Sequence, residues 1–418
     1  MQQDQSGAGM SAAETASRLR WVMIGLAFFA TMINYLDRQA LSVAAPVLEA
    51  RFHFNDVAYS QILFAFMLAY TITNGVSGLV IDRLGTRAGY AIFVAWWSAA
   101  ALLHAFARGA LSLGAFRFLL GMGEAGNWPG AVKVVAEWFP AEERSLASGI
   151  FNSGSAAGAI LAPPIIAFMV LKFGWRSAFV VVGCSGFVWL AAWMRLYRTP
   201  ARPADELTAP QPLKLALLLR SRFVWSFTVS KIFMDPAWYF YIFWFPEYLS
   251  HSRHFSMASI GSYAWIPFLV AGVGSAGGGL IATAFLKLGM PLSAARKSAV
   301  TLAALMMTMA IPAVLAQSAT VSIAFVSVAM AGYTAGLANM LAMPADVFPA
   351  QAVASVYGLA SMGAGFGGMV FMLVTGWLVD KYSYVPAFLL FGTIPLVCTA
   401  ILWTLTGPLT PLAFAAQD

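Results

Sequence analysis

The residues of this chain that could do chemistry stand where charge is least welcome. Asp37, Arg38, Arg117, Glu124, Lys231 and Asp235 all interrupt long apolar runs. At the centre of a membrane helix each such group costs about 2.5–3.5 kcal/mol on insertion scales, so each needs a partner or water. Arg117 and Glu124 are seven residues apart, two helical turns, and share a helix face. Lys231 and Asp235 are four apart and can pair within one helix. Asp37 and Arg38 are neighbours, about 100° apart around a helix, so they must look to another helix. The spacing predicts cross-pairs of Asp37 with Arg117 and of Arg38 with Glu124. All three pairs have a structural reading, as ties that hold a helix bundle together. The two on different helices have a second reading, as a site on a transport path.

Charge arithmetic gives that second reading a mechanism. Two arginines and two carboxylates sum to zero, and a bound monocarboxylate leaves an excess of −1 in a low-dielectric cavity. One proton on Glu124 or Asp37 restores neutrality. Arginine keeps its charge and grips a carboxylate through two parallel hydrogen bonds. Protonation of Glu124 is therefore expected to free Arg38 for an anionic small molecule that travels with the proton.

The elements that must position these groups are membrane helices. Of 418 residues, 60% are hydrophobic and 10% charged, against about a quarter charged in soluble domains. Mean hydropathy is +0.77, more apolar side chain than a soluble protein of this length can bury. A soluble enzyme, a nucleic-acid-binding domain and a disordered chain are excluded on these grounds. Apolar runs predict twelve spans, near 21–46, 57–80, 88–107, 109–137, 146–171, 175–197, 222–249, 258–285, 298–316, 318–345, 351–378 and 384–406. The runs are continuous, not alternating, which speaks against a barrel. The fold class expected is an all-α membrane protein.

Loop charges set the orientation. With the N-terminus cytoplasmic, the inner segments collect most of the Lys and Arg, including Arg83, Arg87, Arg144, Arg195, Arg198, Arg202, Lys214 and Arg220. The outer segments hold only Arg51, Arg108, Lys172, Arg176, Arg253 and Lys381. The positive-inside rule then puts both termini in the cytoplasm, and the expected location is the inner membrane. The longest connection, 198–221, is basic and carries Pro200, Pro203, Pro210 and Pro212, as a linker would. It separates a bundle at 1–197 from one at 222–418.

Those halves are related. Glu137-Trp-Phe-Pro140-Ala aligns with Asp346-Val-Phe-Pro349-Ala, and at the same offset Gly123 meets Gly332, Gly149 meets Gly358 and Asn152 meets Ser361. The fourth and fifth spans thus repeat as the tenth and eleventh. In this register Glu124 falls opposite Tyr333 and Arg117 opposite Val326. The charges expected to couple proton and anion are thus confined to one half. Two related bundles around a central path are the architecture of a secondary transporter, with its substrate near mid-membrane.

Gly78-Leu-Val-Ile-Asp82-Arg83-Leu-Gly85-Thr-Arg87 resembles the loop signature of the major facilitator superfamily. Asn34-Tyr-Leu-Asp-Arg38, Gly121-Met-Gly-Glu-Ala-Gly-Asn-Trp-Pro129, Ala136-Glu-Trp-Phe-Pro140 and Asp235-Pro-Ala-Trp-Tyr-Phe-Tyr241 resemble its anion:cation symporter branch, hexuronate transporters most of all. The resemblance implies two six-helix bundles and proton-driven uptake of sugar acids such as glucuronate or galacturonate. It implies anion binding by Arg38 and Arg117, proton coupling by Asp37 and Glu124, and substrate contacts from Tyr35 and Tyr70. Asp82, Arg83 and Arg87 would gate or brace the inner side, with Lys231 and Asp235 as a further structural or gating pair. Galactonate, glucarate and aromatic-acid carriers share much of the pattern, so another organic anion, or sodium coupling, is the alternative. An integral membrane enzyme is the distant rival, since no nucleophile or metal-ligand motif stands at a membrane boundary.

Weaker signals remain. Trp238, Tyr241 and Trp244 follow the charged pair at spacings of three, and either form an aromatic wall for a sugar ring or pack and anchor the helix. Pro236 predicts a kink there. Asn152, Ser361 and Asn339 could bind hydroxyls or bridge helices. Gly272-Val-Gly-Ser-Ala-Gly277 has the letters of a dinucleotide fingerprint but no strand before it, and reads as close helix packing. His104 ends the third span, and His53, His251 and His254 fall in outer loops with no metal cluster. Cys184 and Cys398 lie in apolar runs without a disulfide framework. The expectation is a monomer in the bilayer, with no cofactor, metal or nucleic acid and an anionic small molecule and a proton as partners.

Overall fold

A computed structural model describes residues 12–139, 144–198, 215–348 and 350–410. Among them every regular element is a helix. The order is α1 (Ala12–Phe52), α2 (Asp56–Leu84), α3 (Thr86–Leu103), α4 (Ala110–Glu124), α5 (Asn127–Trp138), α6 (Arg144–Phe173), α7 (Trp175–Leu196), α8 (Leu215–Leu219) and α9 (Arg222–His251). There follow α10 (Met257–Tyr263), α11 (Ile266–Lys287), α12 (Leu292–Met307), α13 (Ala310–Leu315), α14 (Ala319–Val347), α15 (Ala350–Lys381) and α16 (Tyr384–Thr404).

Among the described residues, ten spans are long and apolar enough on their own to cross a membrane. The two others that complete the expected twelve are those that carry the intramembrane charges of α4 and α9. The fourth, expected as one run over 109–137, breaks between Glu124 and Asn127. Pro129 has no N–H to offer Ala125. Gly126 lies against the Phe93 ring so closely that a Cβ would collide with it. The eighth and ninth spans also break, at Ala264–Trp265 and at Thr308–Met309. By contrast α9 runs without interruption through Pro236 and Pro246.

Packing repeats with the sequence. The pairs α1 with α6, α2 with α4 and α3 with α7 recur as α9 with α15, α11 with α14 and α12 with α16. Small residues make the close approaches. Gly154 and Gly158 meet the α1 backbone at Phe28 and Met32, and Gly274 and Gly278 meet α14 at Ala331 and Ala335. Of the fingerprint-like glycines, Gly274 serves helix packing, because a Cβ there would press into the Ala331 carbonyl oxygen, whereas Gly272 and Gly277 have nothing within 4 Å.

The two sets of helices meet mainly through α2 with α15, α1 with α9 and α6 with α10. One such contact lies at the end of the bundle where α1 passes into α2. There the Tyr59 hydroxyl donates to the Phe243 carbonyl at 2.8 Å, Gly376 abuts Ser60, and Gly261 abuts Ala167. At the other end, where the chain enters α1, a Cβ on Gly149 or on its repeat mate Gly358 would meet nothing within 4 Å.

Candidate functional site

The centre of the bundle holds two buried ion pairs, one in each set of helices. In the first, Arg38 on α1 reaches Glu124 at the end of α4. Its Nε and Nη2 both donate to Oε2, at 3.0 and 2.9 Å. Both donors share one oxygen, so Oε1 of Glu124 is buried with no hydrogen-bond partner. The guanidinium carbon lies 4.9 Å from the Tyr70 ring, 5.1 Å from Tyr35 and 5.3 Å from Phe66. Aromatic faces thus hold the cation where substrate-sized anions could compete with Glu124 for it. Asn34, one turn earlier, offers its Oδ1 at 3.5 Å.

The expected partnership of Asp37 with Arg117 does not form. Arg117 donates through Nη2 to the backbone carbonyl of Arg38 at 2.8 Å, and its Nε and Nη1 have no partner. Both oxygens of Asp37 are likewise buried and unpartnered. The reason lies in helix rotation. Arg38 already faces Glu124, so Asp37 points about 100° away around α1. Arg117, two turns from Glu124, then meets the backbone of α1 instead of that carboxylate. Two opposite charges remain close to each other with most of their hydrogen-bonding capacity unused.

The second pair is local. Lys231 Nζ lies 2.7 Å from Asp235 Oδ2 within α9. Tyr333 on α14 donates to Asp235 Oδ1 at 3.1 Å and stacks on Trp238, with ring centroids 5.1 Å apart. Tyr357 presents its ring 5.5 Å from the Lys231 ammonium. Tyr333 is the repeat mate of Glu124, and α9 is the repeat mate of α1. One slot in the fold is thus used twice, as an Arg–Glu ion pair in one half and as a Tyr–Asp hydrogen bond in the other. Tyr333 and Tyr357 were not among the residues singled out for the site. The repeat register held the signal for Tyr333, because it already set that residue opposite Glu124.

Other expected residues stand apart from this centre. Tyr241 is fully buried against Phe240 and Phe388, and Trp244 packs edge-on against Tyr59. Of the aromatic series on α9, only Trp238 faces the second pair. The Asn339 amide donates to the carbonyls of Gly278 and Ala335 at 2.8 and 3.1 Å, which ties α14 to α11. Ser361 turns its hydroxyl back to the Tyr357 carbonyl at 2.9 Å. Asn152 is exposed.

The contacts around the loop signature form a brace. Glu137 accepts from the Thr86 hydroxyl at 2.7 Å and from the Tyr197 hydroxyl at 2.6 Å. Arg87 donates to the Met194 carbonyl, while its own carbonyl accepts from Trp193 at 2.9 Å. The matching acid of the second half, Asp346, accepts from Arg296 at 3.1 Å. Arg83 is exposed. The side chain of Asp82, the linker core at 199–214, and Pro140 and Pro349 of the repeat lie outside the described residues.

Comparison with known proteins agrees with this geometry. The family model described as Major Facilitator Superfamily matches residues 27–295 and 292–417. A hexuronate transporter of Escherichia coli (strain K12) is 31% identical over 406 residues, 92% of this chain and 94% of that protein. A galacturonate transporter of Dickeya chrysanthemi is 34% identical over 307 residues, 69% of this chain and 89% of its own. Among solved structures, a D-xylose-proton symporter superposes with a TM-score of 0.76 at 14% identity, covering 93% of this chain and 98% of that one. A bacterial homolog of the human lysosomal transporter Spinster, inward-facing and unoccupied, gives 0.71 at 18% identity, with 95% of each chain covered.

Proposed function

This chain belongs to the Major Facilitator Superfamily, and on that premise we propose that it takes up hexuronate anions such as glucuronate or galacturonate together with a proton. The observation that carries the reading is the buried Arg38–Glu124 pair between α1 and α4. A cation held this way needs an anion at all times, and in the empty protein Glu124 fills that place. When Glu124 gains a proton its hold on Arg38 falls to that of a neutral acceptor. The guanidinium is then free to take a substrate carboxylate in a two-pronged grip. Net charge in the cavity is unchanged from start to finish, so helices can close over the occupied site without leaving a lone buried charge.

Asp37 and Arg117 support this cycle from one side. Their unused hydrogen-bonding groups, next to the pair, offer a second proton acceptor and a second anion donor. On the opposite side, Trp238 and Tyr357 offer aromatic faces for a sugar ring, held in place by the Tyr333 hydrogen bond to Asp235 and by the Lys231–Asp235 pair. The two bundles, 1–197 and 222–418 joined by 198–221, would rock about this centre. With both termini cytoplasmic, in a bacterial inner membrane, the end joined by Tyr59 and Phe243 faces outward. The carrier works as a monomer in the bilayer.

The test is a screen of the purified protein by thermal unfolding against uronates, aldonates, aldarates and aromatic acids, followed by uptake in proteoliposomes. Stabilisation by uronates and uptake that follows an inward proton gradient are expected. Stabilisation by aromatic acids alone, or uptake that follows sodium and ignores pH, would replace this reading.

A further inference from the structure

A second cluster of ionisable groups lies far from the central pairs, at the sealed end of the bundle. Glu49 closes α1, Asp56 opens α2, and Glu247 and His251 close α9. His251, expected as a solvated loop residue, instead brings its Nε2 to 3.1 Å from Glu49 and its Nδ1 to 3.5 Å from Glu247. One ligand atom each from Glu49, Glu247 and His251 lie within 4.8 Å of one another.

The group is short of positive charge. Glu247 has no exposed side-chain surface, yet neither of its oxygens accepts a hydrogen bond. Oε1 of Glu49 and Oδ1 of Asp56 are also buried without a partner. Among the described residues no lysine or arginine pairs with any of these carboxylates. Three carboxylates around one imidazole, one of them fully buried, must be neutralised, by protons or by a shared cation. The donor set selects its class. One imidazole nitrogen with carboxylate oxygens suits a divalent transition metal such as zinc. Tetrahedral zinc with bonds of about 2.0–2.1 Å holds its ligands about 3.3 Å apart, so small side-chain rotations close the set. The His251 side chain is 43% exposed, which gives an ion a way in from solvent.

We propose that Glu49, Glu247 and His251 form a divalent-metal site that clamps the sealed end of the bundle. Glu49 belongs to the first set of helices, and Glu247 and His251 to the second. The three can share one ion only while α1 and α9 are together. An ion bound there favours the closed-end conformer by its differential affinity for the two states. Metal on that side of the membrane thus becomes a brake on the carrier, separate from the substrate site.

The experiment uses the full chain, with zinc as probe and magnesium as control. Zinc should raise the unfolding temperature of the detergent-purified protein and slow counterflow in proteoliposomes when added on the side of the sealed end. His251→Gln and Glu49→Gln, both at the rim of the cluster, should each weaken the zinc response about tenfold or more. Magnesium should leave unfolding and counterflow unchanged. Absence of a zinc shift in the unaltered protein overturns the proposal, as does an equal shift in both variants, which would place the ion elsewhere. The unfolding measurement stands whether or not uronates are the cargo, so its failure is distinguishable from failure of the transport reading.

Discussion

The two buried ion pairs at the centre of the molecule differ in one respect that decides what each can do. Lys231 and Asp235 sit one turn apart on a single helix, so no movement of helices against each other separates them. Arg38 and Glu124 sit on different helices, 86 residues apart in sequence. Their contact depends on how α1 and α4 are set, and in the proposed cycle an incoming carboxylate replaces it. Asp235 has a second partner in Tyr333, whereas Oε1 of Glu124 has none. On the proposed reading the satisfied local pair is scaffold, and the under-satisfied pair between helices exchanges partners.

Removing one member of each pair breaks the comparison most sharply. Lys231→Ala strands a buried carboxylate and should destabilise the protein by about 3–5 kcal/mol; thermal unfolding measures it. Arg38→Met should instead show its largest effect on binding, with uronate affinity falling about 30-fold or more, the equivalent of about 2 kcal/mol. Titration by the ligand-induced shift in unfolding temperature reads that loss. Equal binding losses from both substitutions would erase the distinction between scaffold and exchange partner.

Replacing both members sharpens it. Lys231→Met with Asp235→Leu removes both charges of the local pair, and such replacements are often neutral or stabilising by about 1–4 kcal/mol. That gain is offset by the Tyr333 hydroxyl, which loses its acceptor at a cost of about 1–3 kcal/mol. The double variant should unfold near the temperature of the parent. Tyr333→Phe in the parent deletes one buried hydrogen bond to a carboxylate and should cost about 1.5–3 kcal/mol in unfolding, with proton-driven uptake retained.

Much of this was legible in the sequence. Apolar runs gave the spans, and the Glu137 and Asp346 motifs gave the twofold repeat that α1–α6 and α9–α15 packing displays. Arg38 with Glu124 and Lys231 with Asp235 follow from spacing alone. The partner of Arg117 did not, because a rotation of one residue about α1 exchanges a carboxylate for a backbone carbonyl. Asn339 looked available for a ligand, but the close approach of α11 that Gly278 allows takes up its amide. The break after Glu124 depends on the Phe93 ring lying against Gly126. Glu49, Glu247 and His251 are ordinary helix-end residues in sequence, and only the meeting of α1 with α9 assembles them.

The central claim is that Glu124 joins proton and anion in one site. Glu124→Gln keeps the shape of the side chain and removes its titration. In proteoliposomes loaded with unlabelled glucuronate, the variant should still exchange it for labelled glucuronate by counterflow, yet an inward proton gradient should drive no net accumulation. Accumulation equal to that of the unaltered protein would contradict the account.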